Sequence, residues 1–180
     1  MTGIVILALT AGIAAAVREP QSSALRQFKT ATLEYAALHR RIEQQLPPLG
    51  IAEDAQDILE STNALASAIR AARANAREGD LFTPEIAAYM RARIADSLTA
   101  NGYLPEELLA SNIEEADENA PPAVVNGRFP WGRGALTWPC VLDVLPRLPS
   151  ELQYRFVGRD LVLMDVRADL VVDVLRDAVR

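Results

Sequence analysis

The order of apolar and polar residues predicts two long helices in the first half of the chain. Apolar residues in 23–46 recur every three or four positions, which places them on one side of a helix that ends before Pro47-Pro48. Residues 55–79 repeat this spacing with smaller side chains, so we expect the second helix to lie between neighbours that approach it closely. Its stripe consists of Ala55, Ile58, Thr62, Leu65, Ile69, Ala72 and Ala76.

A third helix is predicted between residues 83 and 101, where both boundaries carry strong signals. Thr83 can cap the helix, Pro84 suits its first position, and Asn101-Gly102 favours its end. A short fourth helix is predicted at 104–111. The short connections between the three long helices predict an antiparallel bundle over residues 17–112, with 17–22 as its leading linker.

Residues 113–150 follow neither a helical nor a strand period. They begin with acidic residues and prolines and continue with glycines and two tryptophans. A loop this long is unusual in a compact domain, so we expect it to wrap around the bundle. The expected anchors are Phe129, Trp131, Trp138, Val141, Leu142 and Leu145.

Residues 151–180 read as the β part of the chain. Apolar and polar residues alternate from Leu152, and Gly158-Arg159 can form a two-residue turn with glycine first, as a type II′ hairpin requires. Pairing Val157 with Asp160 places one apolar set on the same face, which needs a cover of helices. That set is Leu152, Tyr154, Phe156, Leu161 and Leu163.

The last segment, 168–179, fits both a helix and a third strand. Its valines favour a strand over 170–174, and a helix would place aspartates at four-residue intervals. We therefore favour a meander that turns at Asp169 in a left-handed conformation and ends in a possible helical turn. The expected fold class is α+β, with an N-terminal antiparallel three-helix bundle, a long wrapping loop, and a C-terminal antiparallel hairpin or three-stranded meander.

Residues 1–16 have the pattern of a signal peptide. Ile4–Ala16 is apolar and uncharged but too short to span a bilayer, and Ala14 and Ala16 provide small residues for a signal peptidase site. The alternative is a buried N-terminal helix, because no Lys or Arg precedes the apolar run. The pattern predicts a periplasmic or secreted protein with no stable membrane span after cleavage.

Charge and cysteine content narrow the function classes. The net charge of −6 disfavours nucleic-acid binding, which depends on neutralising phosphates. Cys140 is the single cysteine, so the chain cannot form an internal disulfide. We expect this thiol to be a small buried apolar group, since no histidine lies near it in the sequence.

His39 is the only histidine in the sequence. On the predicted first helix it lies one turn from Tyr35 and from Glu43, so its ring can hydrogen-bond to either side chain. A catalytic histidine or a metal site needs further groups that the sequence does not place. We therefore predict no catalytic residues, no cofactor-binding residues and no cofactor; His39 and Glu43 are weak candidates for metal ligands.

The remaining charged groups have structural explanations. A first set of acidic residues lacks the spacing of an EF-hand and is typical of a solvated linker. A second group is expected to serve turns, and a stripe of arginines is favoured by the carboxyl end of the second helix. The first group is Glu114, Glu115, Asp117 and Glu118; the second is Asp165, Asp169 and Asp173; the arginines are Arg70, Arg73 and Arg77.

The tail resembles a known kind of protein. The residues from Tyr154 to Asp165, followed by Leu170 to Leu175, look like the C-terminal meander of small periplasmic proteins, a group that includes nickel and cobalt homeostasis proteins. The full arrangement is similar to uncharacterised exported bacterial proteins; it consists of an export signal, Leu38-His39-Arg40-Arg41, Leu46-Pro47-Pro48, residues 79–84 and this tail. The first resemblance implies a periplasmic metal or stress-response role, and the second implies export without a known activity.

The sequence thus leads to a general expectation for function. We expect an exported, non-enzymatic protein that acts through contacts with an unknown protein partner in the cell envelope. The alternative is a periplasmic metal or stress-response binding protein. A third hypothesis, a hydrolase that uses acidic residues, requires two carboxyl groups that face a common groove.

Overall fold

The structure is a computed structural model that describes residues 11–48, 55–106, 121–133 and 138–180. It combines a helical layer with an antiparallel sheet of order β1-β2-β3, which confirms the expected α+β class. The helices are α1 (Ala11–Glu43), α2 (Ala55–Ala72), α3 (Pro84–Ala100), a 3₁₀ turn (Trp131–Arg133) and α4 (Pro139–Leu142). The strands are β1 (Leu152–Val157), β2 (Asp160–Asp165) and β3 (Leu170–Leu175).

The first helix, rather than the second, occupies the middle of the helical layer. α1 packs against both α2 and α3, whereas the buried residues of α2 are Leu65, Ala66 and Ile69. Ile58 and Ala72 of the expected stripe are exposed. The expected central position of α2 is therefore wrong, because its small side chains bury little area and its first turns face solvent.

α1 is longer than the sequence pattern suggested. It begins at Ala11 and passes through Pro20, so residues 17–22 are helical and the expected linker is wrong. Ala14 and Ala16 fall in its first turns, while residues 1–10 lie outside the described residues. Cleavage by a signal peptidase stays a prediction. No helix in the described ranges is both long and apolar enough to cross a membrane.

The boundaries of α3 agree with the prediction. Pro84 is its first residue, Asn101 follows its end, and Ile86, Met90, Ile94 and Leu98 are among its buried residues. Thr83 occupies the N-cap position, but its side chain makes no capping hydrogen bond to the described residues. Of the predicted short helix at 104–111, residues 107–111 lie outside the described part of the chain.

The hairpin register is the expected one. Val157 pairs with Asp160, and Gly158 has a φ of +57°, a conformation that glycine adopts without steric strain. β3 confirms the third strand, and Asp169 has the expected left-handed backbone with a φ of 50°. Residues 176–180, all described, form a turn and irregular backbone, so the possible terminal helical turn is not formed.

The sheet is covered on both faces. The predicted apolar face of the hairpin joins the main core beneath the helices, together with Trp138, Val141 and Leu145. The opposite face packs against Ala123 and Phe129 of the wrapping segment. Two expected anchors of that segment are wrong: Trp131 is 51% exposed and Leu142 is 39% exposed.

Candidate functional site

A buried polar cluster joins α1 to the end of β2. Tyr35 and His39 lie one helical turn apart on the side of α1 that faces the sheet, and Asp165 is the last residue of β2. His39 is 2% exposed, Tyr35 is 5% exposed and Asp165 is fully buried. The cluster therefore lies inside the interface between the helical layer and the sheet.

Asp165 is the acceptor for the whole cluster. Its Oδ2 atom accepts a hydrogen bond from the Tyr35 hydroxyl at 2.7 Å and from His39 Nδ1 at 2.6 Å. Its Oδ1 atom accepts the backbone N–H groups of Arg167 at 3.1 Å and Ala168 at 2.9 Å. Each carboxylate oxygen thus has two donors, which is the arrangement that makes burial of a charged carboxylate tolerable.

The Nε2 side of the imidazole faces Glu43, whose side chain is partly exposed to solvent. His39 Nε2 lies 3.5 Å from Glu43 Oε2, and Arg167 Nε lies 3.4 Å from Glu43 Oε1. Arg167 Nη2 also lies 3.5 Å from the Ser61 hydroxyl on α2. Glu43, Ser61 and Arg167 line a cavity of about 500 Å³ whose apolar wall includes Leu46 and the two prolines that follow it.

Burial and the neighbouring carboxylates shift the pKa of His39 in opposite directions. Burial alone lowers the pKa of the imidazole, but the hydrogen bond and charge of Asp165, together with the charges of Glu43 and Glu151, outweigh burial and raise the pKa above 6.5. Burial raises the pKa of the Tyr35 phenol, and the neighbouring Asp165 carboxylate raises it further. The cluster therefore favours an imidazolium between two carboxylates and a neutral phenol.

This geometry suits a structural clamp better than a reaction centre. A histidine held by an aspartate can act as a general base only when its second nitrogen reaches a substrate proton. Here the second nitrogen faces the Glu43 carboxylate, and the ring is almost fully buried. The cluster therefore connects α1 to β2 without presenting a reactive nitrogen to solvent.

The predicted weak metal ligands do lie close together. His39 and Glu43 are within 3.5 Å, but the other imidazole nitrogen is engaged by Asp165. No group of three His, Cys, Asp or Glu residues within the described ranges could hold a metal ion.

Asp173 forms a second buried clamp, now between β3 and the segment before α3. Its carboxylate accepts the N–H groups of Gly79 at 2.9 Å, Leu81 at 2.8 Å and Phe82 at 2.8 Å, and that of Val174 at 2.8 Å. Burial raises the pKa of Asp173, whereas these four N–H groups lower it. The sequence predicts that both aspartates serve turns of the sheet. This prediction is wrong for Asp173 and correct for Asp165, whose Oδ1 atom accepts the N–H groups of Arg167 and Ala168.

Two of the arginines at the carboxyl end of α2, Arg70 and Arg73, bind the wrapping segment and β3 in addition to lying at the helix end. Arg70 Nε donates to the Asn126 carbonyl at 2.9 Å, and Arg73 Nη2 donates to the Val172 carbonyl at 3.0 Å. The Asn126 side chain returns a bond to the Arg73 carbonyl at 2.8 Å. The guanidinium of Arg73 also lies 5.0 Å from the centre of the Tyr35 ring, a cation–π distance.

The remaining candidate residues from the sequence analysis are the cysteine and the carboxylates. Cys140 is half-buried against the main core, and its carbonyl accepts the Ser97 hydroxyl at 2.7 Å. The two fully buried carboxylates, Asp165 and Asp173, each accept hydrogen bonds from donors of the chain. The acidic group Glu114, Glu115, Asp117 and Glu118 lies outside the described residues.

The sequence did not reveal the partner of His39. Tyr35 and Glu43 were readable as neighbours because helix spacing fixes them, but Asp165 lies 126 residues away. Its only local signal was an aspartate at the end of an otherwise apolar strand.

Comparison with protein family models, with curated proteins and with solved structures finds no match for this chain.

Proposed function

We propose that this protein is exported to the bacterial cell envelope and acts there by binding another protein, not by catalysis. The observation that carries the proposal is an apolar surface on the first turns of α2. Residues 55–60 are all exposed, and among them Ile58 is 49% and Leu59 is 43% exposed. Adjacent large apolar side chains on a surface helix are typical of protein contacts.

The neighbouring cavity extends this surface. Ser61 and Leu65 continue α2 into the cavity that Leu46 and the following prolines line. Asp57 and Glu60 place negative charge beside the apolar residues. An amphipathic helix with apolar residues on one side and basic residues at its margin has the matching chemistry.

The distribution of reactive side chains supports the same proposal. The histidine is enclosed by Tyr35, Asp165 and Glu43, and Asp173 is enclosed by backbone N–H groups. These buried groups stabilise the fold, so neither His39 nor Asp173 presents acid–base chemistry at the surface.

Site-specific photo-crosslinking tests this role. A photoreactive residue replaces Ile58 in the full chain expressed in its bacterial host, and Ser67, on the opposite side of α2, receives the same residue as the matched control. We expect a discrete adduct in the envelope fraction from position 58 and none from position 67. Equal labelling at the two positions, or an adduct confined to the cytoplasm, would contradict the proposal.

A further inference from the structure

The cavity at the carboxyl end of α1 has the size and lining of a small-molecule site. Its volume of about 500 Å³ lies in the range of about 300–1,000 Å³ that is usual for such sites, which combine apolar walls with a few polar groups. Its described lining residues divide into an apolar set, Leu46, Pro47, Pro48 and Leu65, and a polar set, Glu43, Gln44, Ser61 and Arg167. This composition suits a small molecule with one apolar and one polar part.

The cavity runs from an exposed rim to a buried floor. Glu43 and the two prolines are exposed, Ser61 and Arg167 are partly buried, and Leu65 is buried. A molecule that enters from the rim can therefore place its apolar part against Leu65, away from water. Burial of that apolar part is the main source of favourable binding free energy at such a site.

The guanidinium of Arg167 makes only weak contacts with the described residues. Its Nη2 atom donates to the Ser61 hydroxyl at 3.5 Å, which is longer than the usual range of about 2.7–3.2 Å. Its Nε atom is enclosed beside Glu43, 3.4 Å from Oε1, and makes no hydrogen bond in the described part of the chain. The outer edge, with Nη1 and Nη2, is therefore the part that a ligand reaches. A carboxylate fits this edge best, because its two oxygens match the two nitrogens.

The charges of the cavity favour a ligand that carries both signs. Glu43 and Arg167 are the charged groups among the described lining residues, and they lie side by side. Behind Glu43, the His39 imidazolium and the Asp165 carboxylate balance each other. A simple anion at Arg167 is repelled by Glu43, and a simple cation at Glu43 is repelled by Arg167. A zwitterion pairs with both residues and avoids either repulsion.

We propose that this cavity binds a free α-amino acid with an apolar side chain. The ligand carboxylate accepts hydrogen bonds from Arg167 and Ser61, and the ligand ammonium pairs with Glu43. Both charged groups are attached to the same carbon atom of the ligand, so they fit adjacent partners, and the ligand side chain packs against Leu46 and Leu65. The site goes beyond the proposed protein contact on the first turns of α2. Crosslinking from α2 and binding of an amino acid therefore succeed or fail separately.

An NMR titration of the full chain tests the site. The isotope-labelled protein is titrated with L-leucine, and the backbone amide shifts report both the affinity and the location of binding. We expect saturable shifts at Ser61 and Leu65 at millimolar or lower leucine, and none at Ser67 on the opposite side of α2. Absence of shifts with L-leucine, L-valine and L-phenylalanine at millimolar concentration overturns the proposal, as do shifts confined to residues outside the cavity.

Analogues of leucine separate recognition of the two charges from apolar contact alone. N-acetyl-L-leucine lacks the ammonium and L-leucinamide lacks the carboxylate, while both keep the side chain. Each should bind at least about tenfold more weakly than leucine, because it loses one charge-assisted contact and keeps one repulsion. L-glutamate keeps both charged groups but brings an acidic side chain to the apolar wall, so it should also bind weakly. Equal affinities of leucine and its two derivatives contradict the proposal.

Two variants assign the ligand charges to residues of the cavity. Arg167→Gln should weaken leucine binding at least about tenfold and reduce the preference for leucine over leucinamide, because the partner of the carboxylate is gone. Glu43→Gln should reduce the preference for leucine over N-acetyl-L-leucine in the same way. Arg41→Gln, at an exposed position of α1, is the matched control and should leave all affinities unchanged.

The ratios between ligands distinguish recognition from a loss of folding. If Arg167→Gln and Glu43→Gln weaken all ligands by the same factor, these residues act only through the fold and the proposal is wrong. If a variant does not fold, the comparison of leucine with its derivatives in the unaltered chain decides the matter by itself.

Discussion

At the residue scale, two aspartates connect the sheet to the helical segments. Asp165 and Asp173 are both fully buried, yet each oxygen of each carboxylate has two donors from the chain. A buried carboxylate is tolerated only with such donors, so each aspartate requires one specific arrangement of the surrounding backbone. The main effect of these two residues is therefore on the relative placement of the sheet and the helical segments. They contribute little to the apolar area that the layers bury.

The raised pKa of His39 makes stability depend on pH. The folded protein binds the imidazole proton more tightly than the unfolded chain, whose pKa is near 6.5. The stabilising contribution is therefore complete below pH 6.5 and is lost as the pH rises through the folded pKa. We expect the free energy of unfolding, measured by urea denaturation, to fall over this window.

Two variants identify the source of that pH dependence. His39→Gln should abolish the decline with pH, because the titrating group is gone. Tyr35→Phe should lower stability by about 1–3 kcal/mol through loss of a buried hydrogen bond, but it should keep the decline. An unchanged slope in His39→Gln would show that other groups cause it.

Asp173→Asn tests the second clamp. The amide nitrogen of asparagine must face two backbone N–H groups that now bond to a carboxylate oxygen. Leaving buried donors without acceptors should lower the free energy of unfolding by about 1–3 kcal/mol, measured by urea denaturation at pH 7. Asp96→Asn, at an exposed site on α3, is the control and should change stability by less than about 0.5 kcal/mol.

At the element scale, the wrapping segment acts as part of the sheet. Residues 126–129 pair with β3, while Ala123 and Phe129 cover the face that the helices do not reach. Asn126, with a left-handed φ of 62°, also receives bonds from Arg70 and Arg73. One short segment therefore joins α2, the edge of β3 and the outer face of the sheet.

Gly127→Ala should displace this segment. A Cβ atom at Gly127 would lie 2.7 Å from Val124 Cγ2 and 2.9 Å from the Val124 carbonyl oxygen, which is too close for either contact. We expect a loss of about 1–3 kcal/mol and faster hydrogen exchange at the Val171 amide, which donates to the Gly127 carbonyl. Pro122→Ala, at an exposed position of the same segment, should leave that exchange rate unchanged.

At the scale of the whole molecule, the helices and the sheet share one core. Phe28 of α1, Ile69 of α2, Met90 of α3 and Leu163 of β2 belong to the same cluster of buried residues. Phe28 also stacks on Phe82, with ring centres 5.8 Å apart. The sequence ranges assigned to the bundle and to the meander are therefore successive along the chain but packed as one unit.

This shared core predicts a single unfolding transition. In Trp131→Phe, Trp138 is the remaining tryptophan, and its ring packs 4.5 Å from that of Phe156. Trp138 fluorescence should then report the sheet side of the core, while circular dichroism at 222 nm reports the helices. We expect coincident urea midpoints, and we expect residues 17–112 alone to lack a cooperative transition. Separated midpoints would show that the two ranges fold independently.

Local spacing in the sequence determined the secondary structure to a large extent. The limits of α3, the register at Val157 and Asp160, and the left-handed Asp169 follow from interactions between residues close in sequence, so they could be predicted. The position of α2 was predicted wrongly, because helix periodicity shows which side is apolar but not how much of it a neighbour covers.

The tertiary structure decided the contacts that join distant segments. Asp165 meets His39 across 126 residues, and Asp173 meets Leu81 across 92, although neither aspartate has a local pattern that distinguishes it from a turn residue. The cover of the β3 edge likewise depends on where residues 126–129 pair. Spacing along a chain fixes local geometry, whereas the partner of a buried charge and the cover of a strand edge are set only when the layers pack together.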